Sequence, residues 1–169
     1  MKFFTKAWHA GDMSDDRVDE IRADYLSHLA TVLLALPRQF RSFAETISIH
    51  DAQVRSIRLD RTSGVLELEL RAGDRQVGYF DLTITYRGVQ FDSLDSHALA
   101  EIAAGTEFEA LYDEVDVAQH GGYEHRWLWW PYRDLNIRFA AFEYAVSPKA
   151  NRDFDRTATP FVEIVAPVG

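Results

Sequence analysis

The sequence contains no cysteine, which excludes disulfides, thiol nucleophiles, iron–sulfur clusters and any zinc site that needs thiolates. Positive charge is also scarce: 18 Lys and Arg stand against 27 Asp and Glu, a formal net charge of −9. Tight nucleic-acid binding needs cations that displace counterions from phosphates, so nucleic acid is not an expected partner. Long apolar runs are missing as well. The longest, residues 32–36, falls far short of the ~20 residues a membrane helix requires, so no membrane association is expected. The start, Met1-Lys2-Phe3-Phe4, has a charge but no apolar region behind it, which reads as no signal peptide and a cytoplasmic address. Glycine-rich phosphate loops, a G-x-S-x-G elbow and an H-E-x-x-H helix do not occur.

What remains is one domain's worth of chain, 169 residues, 47% hydrophobic, with 11 Phe, 7 Tyr and 4 Trp for a core built on large rings. The charge is uneven. Residues 88–125 hold nine carboxylates and no Lys or Arg. Such a stretch is either a solvated acidic face or a landing patch that steers a basic protein partner.

Val18, Ile21, Tyr25, Leu29, Val32, Leu33 and Leu36 recur at helical spacing. Ser14 is placed to cap that helix, Asp15 and Asp16 suit its dipole, and Pro37 ends it. Phe40 and Phe43 then predict a short second helix over 37–46. After Ile47 the period becomes two. Leu66, Leu68 and Leu70 alternate with charged residues, as do Phe80, Leu82, Ile84 and Tyr86 with their neighbours, and turns at 60–64, 72–75 and 87–88 make adjacent strands antiparallel. A strand is expected from Val89, a short helix over 95–104, and strands over 111–117, 123–130 and 135–141. The fold class is therefore α+β: an N-terminal amphipathic helix or helix pair packed on an antiparallel meander of six to seven strands. Residues 1–146 form the domain, and 147–169 a tail with one edge strand near 161–165.

Three clusters carry candidate chemistry. His50-Asp51 is the most motif-like pair, read either as acid–base groups or as a turn in which Asp51 bonds backbone amides and His50 packs on the sheet. The second surrounds the loop 118–122. Pairing Val117 with Tyr123 sets Glu114 opposite Arg126 and Asp116 opposite Glu124 on one face, with Val115 opposite His125 on the other. Glu114, Asp116 and Glu124 are then expected to face solvent, so that reversing their charge slows association without unfolding the chain. The third is the aromatic run, where Trp127 and Trp129 point to the core and Trp130, beside Tyr132, faces out as an interface anchor. No ligand spacing matches a metal signature, so neither metal nor organic cofactor is expected; His50, Asp51, His120 and His125 are the ligands to inspect if one is found.

Three stretches resemble a bacterial family: Met1-Lys2-Phe3-Phe4-Thr5-Lys6-Ala7-Trp8, then Ile49-His50-Asp51-Ala52-Gln53-Val54, then Leu111-Tyr112-Asp113-Glu114-Val115 with Gly122-Tyr123-Glu124-His125-Arg126. In this order they resemble the family called domain of unknown function 4085, over residues 1–146. That family has no assigned activity, so the resemblance carries over no catalytic residue. The His-Asp-Ala segment ahead of a hairpin also resembles small, acidic, non-catalytic bacterial immunity proteins. The leading expectation is a non-catalytic binding protein, immunity- or inhibitor-like, that meets a basic partner through Glu114, Asp116, Glu124, Trp130 and Tyr132. The alternative is a small hydrolase with Asp51, Asp113, Glu114 or Glu124 as acid–base groups and His50 or His125 as proton carrier.

Overall fold

The helical stripe folds as its spacing predicts in the computed structural model, which describes residues 1–155 and 160–165. A single turn, α1 (Lys6–His9), precedes α2 (Asp15–Val32), where Ser14 Oγ accepts the Arg17 amide at 3.4 Å. Ile21 is buried, and Val18, Tyr25, Leu29 and Val32 are half-buried on the same side. A 3-10 turn (Leu33–Ala35) and Pro37 end the run, because the proline ring cannot continue a helix. The shorter α3 (Arg38–Thr46) fills the core, with Phe40 and Phe43 fully enclosed. Arg41 ties the two helices by donating to the carbonyls of Leu33 at 2.7 Å and Leu34 at 3.0 Å.

Strands β1 (Ala52–Asp60), β2 (Val65–Asp74) and β3 (Gly78–Arg87) form the expected meander. Leu66, Leu68, Leu70, Leu82 and Ile84 are buried completely, and Phe80 partly. Helix α4 (Ser96–Ala104) is capped by Asp95, whose carboxylate accepts the Ala98 amide at 2.9 Å. Then come β4 (Glu109–Val117), β5 (Tyr123–Trp130), β6 (Arg133–Phe139), β7 (Ala141–Lys149) and β8 (Phe161–Ile164). The spatial order is β6-β5-β4-β1-β2-β3-β7, and β8 lies parallel to β1.

Two expectations need correction. Residues 89–91 form no strand, although the Gln90 amide donates to the Arg138 carbonyl at 2.9 Å. The sheet has eight strands rather than six to seven, because the chain goes on past Ala141 as β7, paired along β3 to Lys149. Residues just beyond β7 also pack on the fold. Arg71, a buried cation, donates to the carbonyls of Asn151 at 2.5 Å and Asp153 at 3.0 Å, and its guanidinium lies 5.3 Å from the centre of the Phe154 ring.

The ends of the strand order are joined through one residue. Ala140 separates β6 from β7, and its amide donates to the Arg87 carbonyl at 2.9 Å. Gly88 allows this corner: its φ is +65°, and a Cβ there would lie 2.8 Å from the Ala140 side chain. No helix among the described residues is long and apolar enough to cross a membrane.

Candidate functional site

The β4–β5 hairpin adopts the register read from the sequence: Val117 pairs with Tyr123, Asp116 with Glu124, Val115 with His125 and Glu114 with Arg126. Side-chain alternation then divides its polar residues between two faces.

On one face, Glu114, Asp116 and Glu124 do not meet solvent as expected. Glu114 is fully buried and Glu124 nearly so. The N-terminal segment lies over this face, and the Glu114 carboxylate accepts the amides of Lys2 at 2.8 Å, Phe3 at 2.6 Å and Phe4 at 2.8 Å. Arg126 pairs with Glu124, with Asp116 at 3.3 Å and with Glu114 at 3.7 Å. His28 Nε2 of α2 approaches Asp116 at 3.3 Å. Burial alone would raise the Glu124 carboxyl, but hydrogen bonds from Asn136 and Arg138, with the Arg126 and Arg138 charges, hold it below the usual carboxylate range. Three carboxylates so enclosed hold the fold together. Reversing all three is expected to unfold the chain, since it sets three cations against Arg126.

On the other face, His125 is fully buried among Phe40, Phe43 and Trp127. Its Nε2 lies 2.9 Å from Asp113 Oδ2, and its Nδ1 lies 2.8 Å from the Tyr86 hydroxyl. A carboxylate only accepts, so the tautomer that satisfies all three groups has Nε2–H donating to Asp113 and Tyr86 O–H donating to Nδ1. Burial pushes the Tyr86 phenol well up, and the Asp113 charge adds to this, so the hydroxyl keeps its proton.

Asp113 is the open end of this chain. Its side chain is 20% exposed and forms part of a cleft of about 310 Å³ whose walls include Phe4, Tyr25 and Tyr112. Tyr25 reaches the site from α2, which lies along β4 where that strand, beyond Ala110, has no β1 partner among the described residues. Burial raises the Tyr25 phenol, and Asp113, Glu114 and Asp116 raise it further, outweighing the Val115 backbone amide. The Phe4 ring meets Tyr25 edge-on at 4.7 Å and lies 5.4 Å from Tyr112.

His50 and Asp51 stand at the rim. Both are about half exposed and pair with each other, His50 Nδ1 to Asp51 Oδ1, at 3.0 Å. Asp51 takes a φ of +61°, and the His50 ring rests edge-on against Tyr112 at 5.5 Å. Asp51 thus bonds its neighbour's ring where the turn reading expected backbone amides. His120 is exposed in the loop after β4, while His125 is enclosed. Among the described residues, no three His, Asp or Glu side chains are grouped so as to hold a metal ion.

The aromatic run divides as expected. Trp127 and Trp129 are buried and stacked at 5.4 Å, whereas Trp130 is 42% exposed and meets Tyr132 edge-on at 5.0 Å. His9 lies against both outer rings, and the Lys6 ammonium sits 4.8 Å from the centre of the Tyr132 ring.

Sequence reasoning missed Phe4, Tyr25, Tyr86 and Tyr112 as neighbours of Asp113. Only Tyr86 left a signal: a phenol at an inward strand position must find a hydrogen-bond partner. Comparison with family models, with curated proteins and with solved structures returns no significant match.

Proposed function

We propose that this protein is a non-catalytic binding protein, immunity- or inhibitor-like, that engages a basic protein partner. The observation that carries this reading is the state of the acid–base candidates. Glu114 and Glu124 are consumed by structural bonds, and His125 has both ring nitrogens occupied inside the core. Asp113 presents a carboxylate to the cleft, and at its rim the half-exposed His50 and Asp51 are paired with each other. The steering charge has a different location from the hairpin. Asp15, Asp16, Asp19, Glu20 and Asp24 are exposed on α2, the helix that forms one wall of that cleft through Tyr25 and Leu29. Trp130 with Tyr132 supplies an exposed aromatic anchor.

The hydrolase reading has in its favour the half-exposed His50–Asp51 pair at the rim and the Asp113–His125 pair at the cleft. The second pair is oriented against nucleophilic catalysis, which needs the imidazole toward the substrate and the carboxylate behind it. Here the imidazole lies behind and the carboxylate in front.

The test is capture of partners from the native cell lysate, followed by association kinetics at low and high salt. Exposed charges are screened beyond about 8 Å at 0.15 M salt, so the on-rate for a steered basic partner should fall as salt rises. Reversing Asp19, Glu20 and Asp24 to Lys should lower it further, with a thermal melt to check that the helix is kept. Partners that are not basic, or an on-rate indifferent to both changes, would overturn the proposal.

A further inference from the structure

We infer that the cleft above Asp113 is a binding site for an alkylammonium group, with the lysine side chain of a protein partner as its occupant. This rests on the binding reading above and names the chemistry recognised at that site.

The first argument is a missing cation. Asp81, Glu114, Asp116 and Glu124 are each enclosed by the fold, and each faces at least one Arg or Lys within 4.0 Å. Asp113 is comparably enclosed, yet no Arg or Lys among the described residues lies within 4.0 Å of it, and its one partner there is the His125 ring. A partly buried carboxylate without a countercharge attracts one from outside. Arg22 of α2, whose charge acts on the Tyr112 phenol, pairs with Asp19 at 3.6 Å and lies 5.5 Å from the centre of the Trp8 ring.

The second argument is the wall. Phe4, Tyr25 and Tyr112 line the cleft beside the carboxylate, and aromatic ring faces attract cations. Leu29, Ala44 and Ile47 add apolar surface suited to a methylene stem, and Ser48 and His50 add a polar side. A volume of about 310 Å³ lies at the low end for ligand pockets, which suits one extended side chain rather than a folded peptide segment.

The third is the support behind the carboxylate. His125 is locked between Tyr86 and Asp113 and packed by three aromatic rings, so the Asp113 oxygens are held in place before any ligand arrives.

The experiment titrates the full chain with n-butylammonium, which reproduces the lysine side chain, and with n-butanol as its neutral counterpart, followed by amide NMR. Saturable shifts are expected around residues 111–113 and Tyr25, with n-butanol at least tenfold weaker. Asp113→Asn keeps an acceptor for His125 and should weaken the cation at least tenfold while leaving n-butanol unchanged; a thermal melt checks its folding. Tyr112→Leu, which keeps an apolar wall and removes the ring face, should weaken the cation about threefold or more. Equal binding of cation and alcohol, or Asp113→Asn binding the cation as wild type does, would overturn the inference.

A lysine capped at both backbone ends distinguishes the sources. Binding at least as tight as n-butylammonium supports a protein side chain, whereas exclusion of the capped form overturns that occupant in favour of a free amine. Failure here stays separate from failure of the broader reading. A basic partner that Asp113→Asn still captures leaves that reading intact without this site. Cation binding with no basic partner does the reverse.

Discussion

Glu114 Oε1 accepts the Phe3 amide at 2.6 Å across 111 residues of sequence. The same carboxylate takes the neighbouring amides of Lys2 and Phe4, so one side chain replaces the strand that would otherwise pair with this segment. Glu114→Ala therefore leaves three amide donors without their acceptor. Bonds to a charged group are worth more than neutral ones, and the expected cost is about 2–4 kcal/mol in urea unfolding. Amide exchange at residues 2–4 should accelerate to the rate of an open segment, and Glu114→Gln should fall between. An unchanged exchange rate in the alanine variant would refute the role.

Acid should weaken the fold through two carboxylates. Burial would raise Asp81, but the Arg71 hydrogen bond, with Arg55, Arg71 and Lys149 charges, brings it below its ordinary value of 3.8; Glu124 lies below its own 4.5 for the reasons given above. A carboxyl depressed in the folded state contributes stability that is complete above its unfolded value and lost as the pH falls through the folded one. Urea midpoints should thus stay level with respect to these two groups down to about pH 4.5 and decline below it. Asp81→Asn should lower the midpoint at neutral pH and flatten the acid decline. A decline of unchanged steepness in that variant would count against Asp81.

Two core substitutions separate packing from polar satisfaction. Leu68→Ala opens a cavity at a fully buried strand position and should cost about 2–5 kcal/mol. Tyr86→Phe changes almost no volume but leaves His125 Nδ1 buried without a donor, for about 1–3 kcal/mol. A tyrosine variant as stable as wild type would mean that the hydroxyl is not the group that satisfies the ring.

Particular residues show how far the sequence could be read. Leu66, Leu68 and Leu70 reveal β2 because one face is apolar and the other charged, and the β4–β5 register follows from a short loop between Val117 and Tyr123. The same alternation misleads at Glu114 and Glu124. It assigns charged residues to solvent, yet here that face is covered by residues 2–4 and crossed by Arg126, contacts of long sequence separation that no local period encodes. β7 alternates too, through Phe142, Tyr144 and Val146, but only Ala140 separates it from β6, so no turn signal in the sequence marks the two as separate strands. The candidate cleft assembles Phe4, Tyr25, Tyr112 and Asp113 from three separate parts of the chain. Asp113 could be named from its surroundings in sequence, but nothing local says which rings enclose it.

The single-residue joint at Ala140 bears on how the molecule comes apart. A sheet with two independent ends can fray from either while the middle survives. Here the outermost positions of the strand order are successive stretches of one strand-like run, 133–149, anchored to β5 on one side of the joint and to β3 on the other. Peeling β7 from β3 pulls on the segment that lies beside Trp127 and His125, and loosening β6 slackens the register of β7. Local opening at either end is thereby coupled to the other, so the support beneath Asp113 should be lost only when the whole sheet opens in one cooperative step.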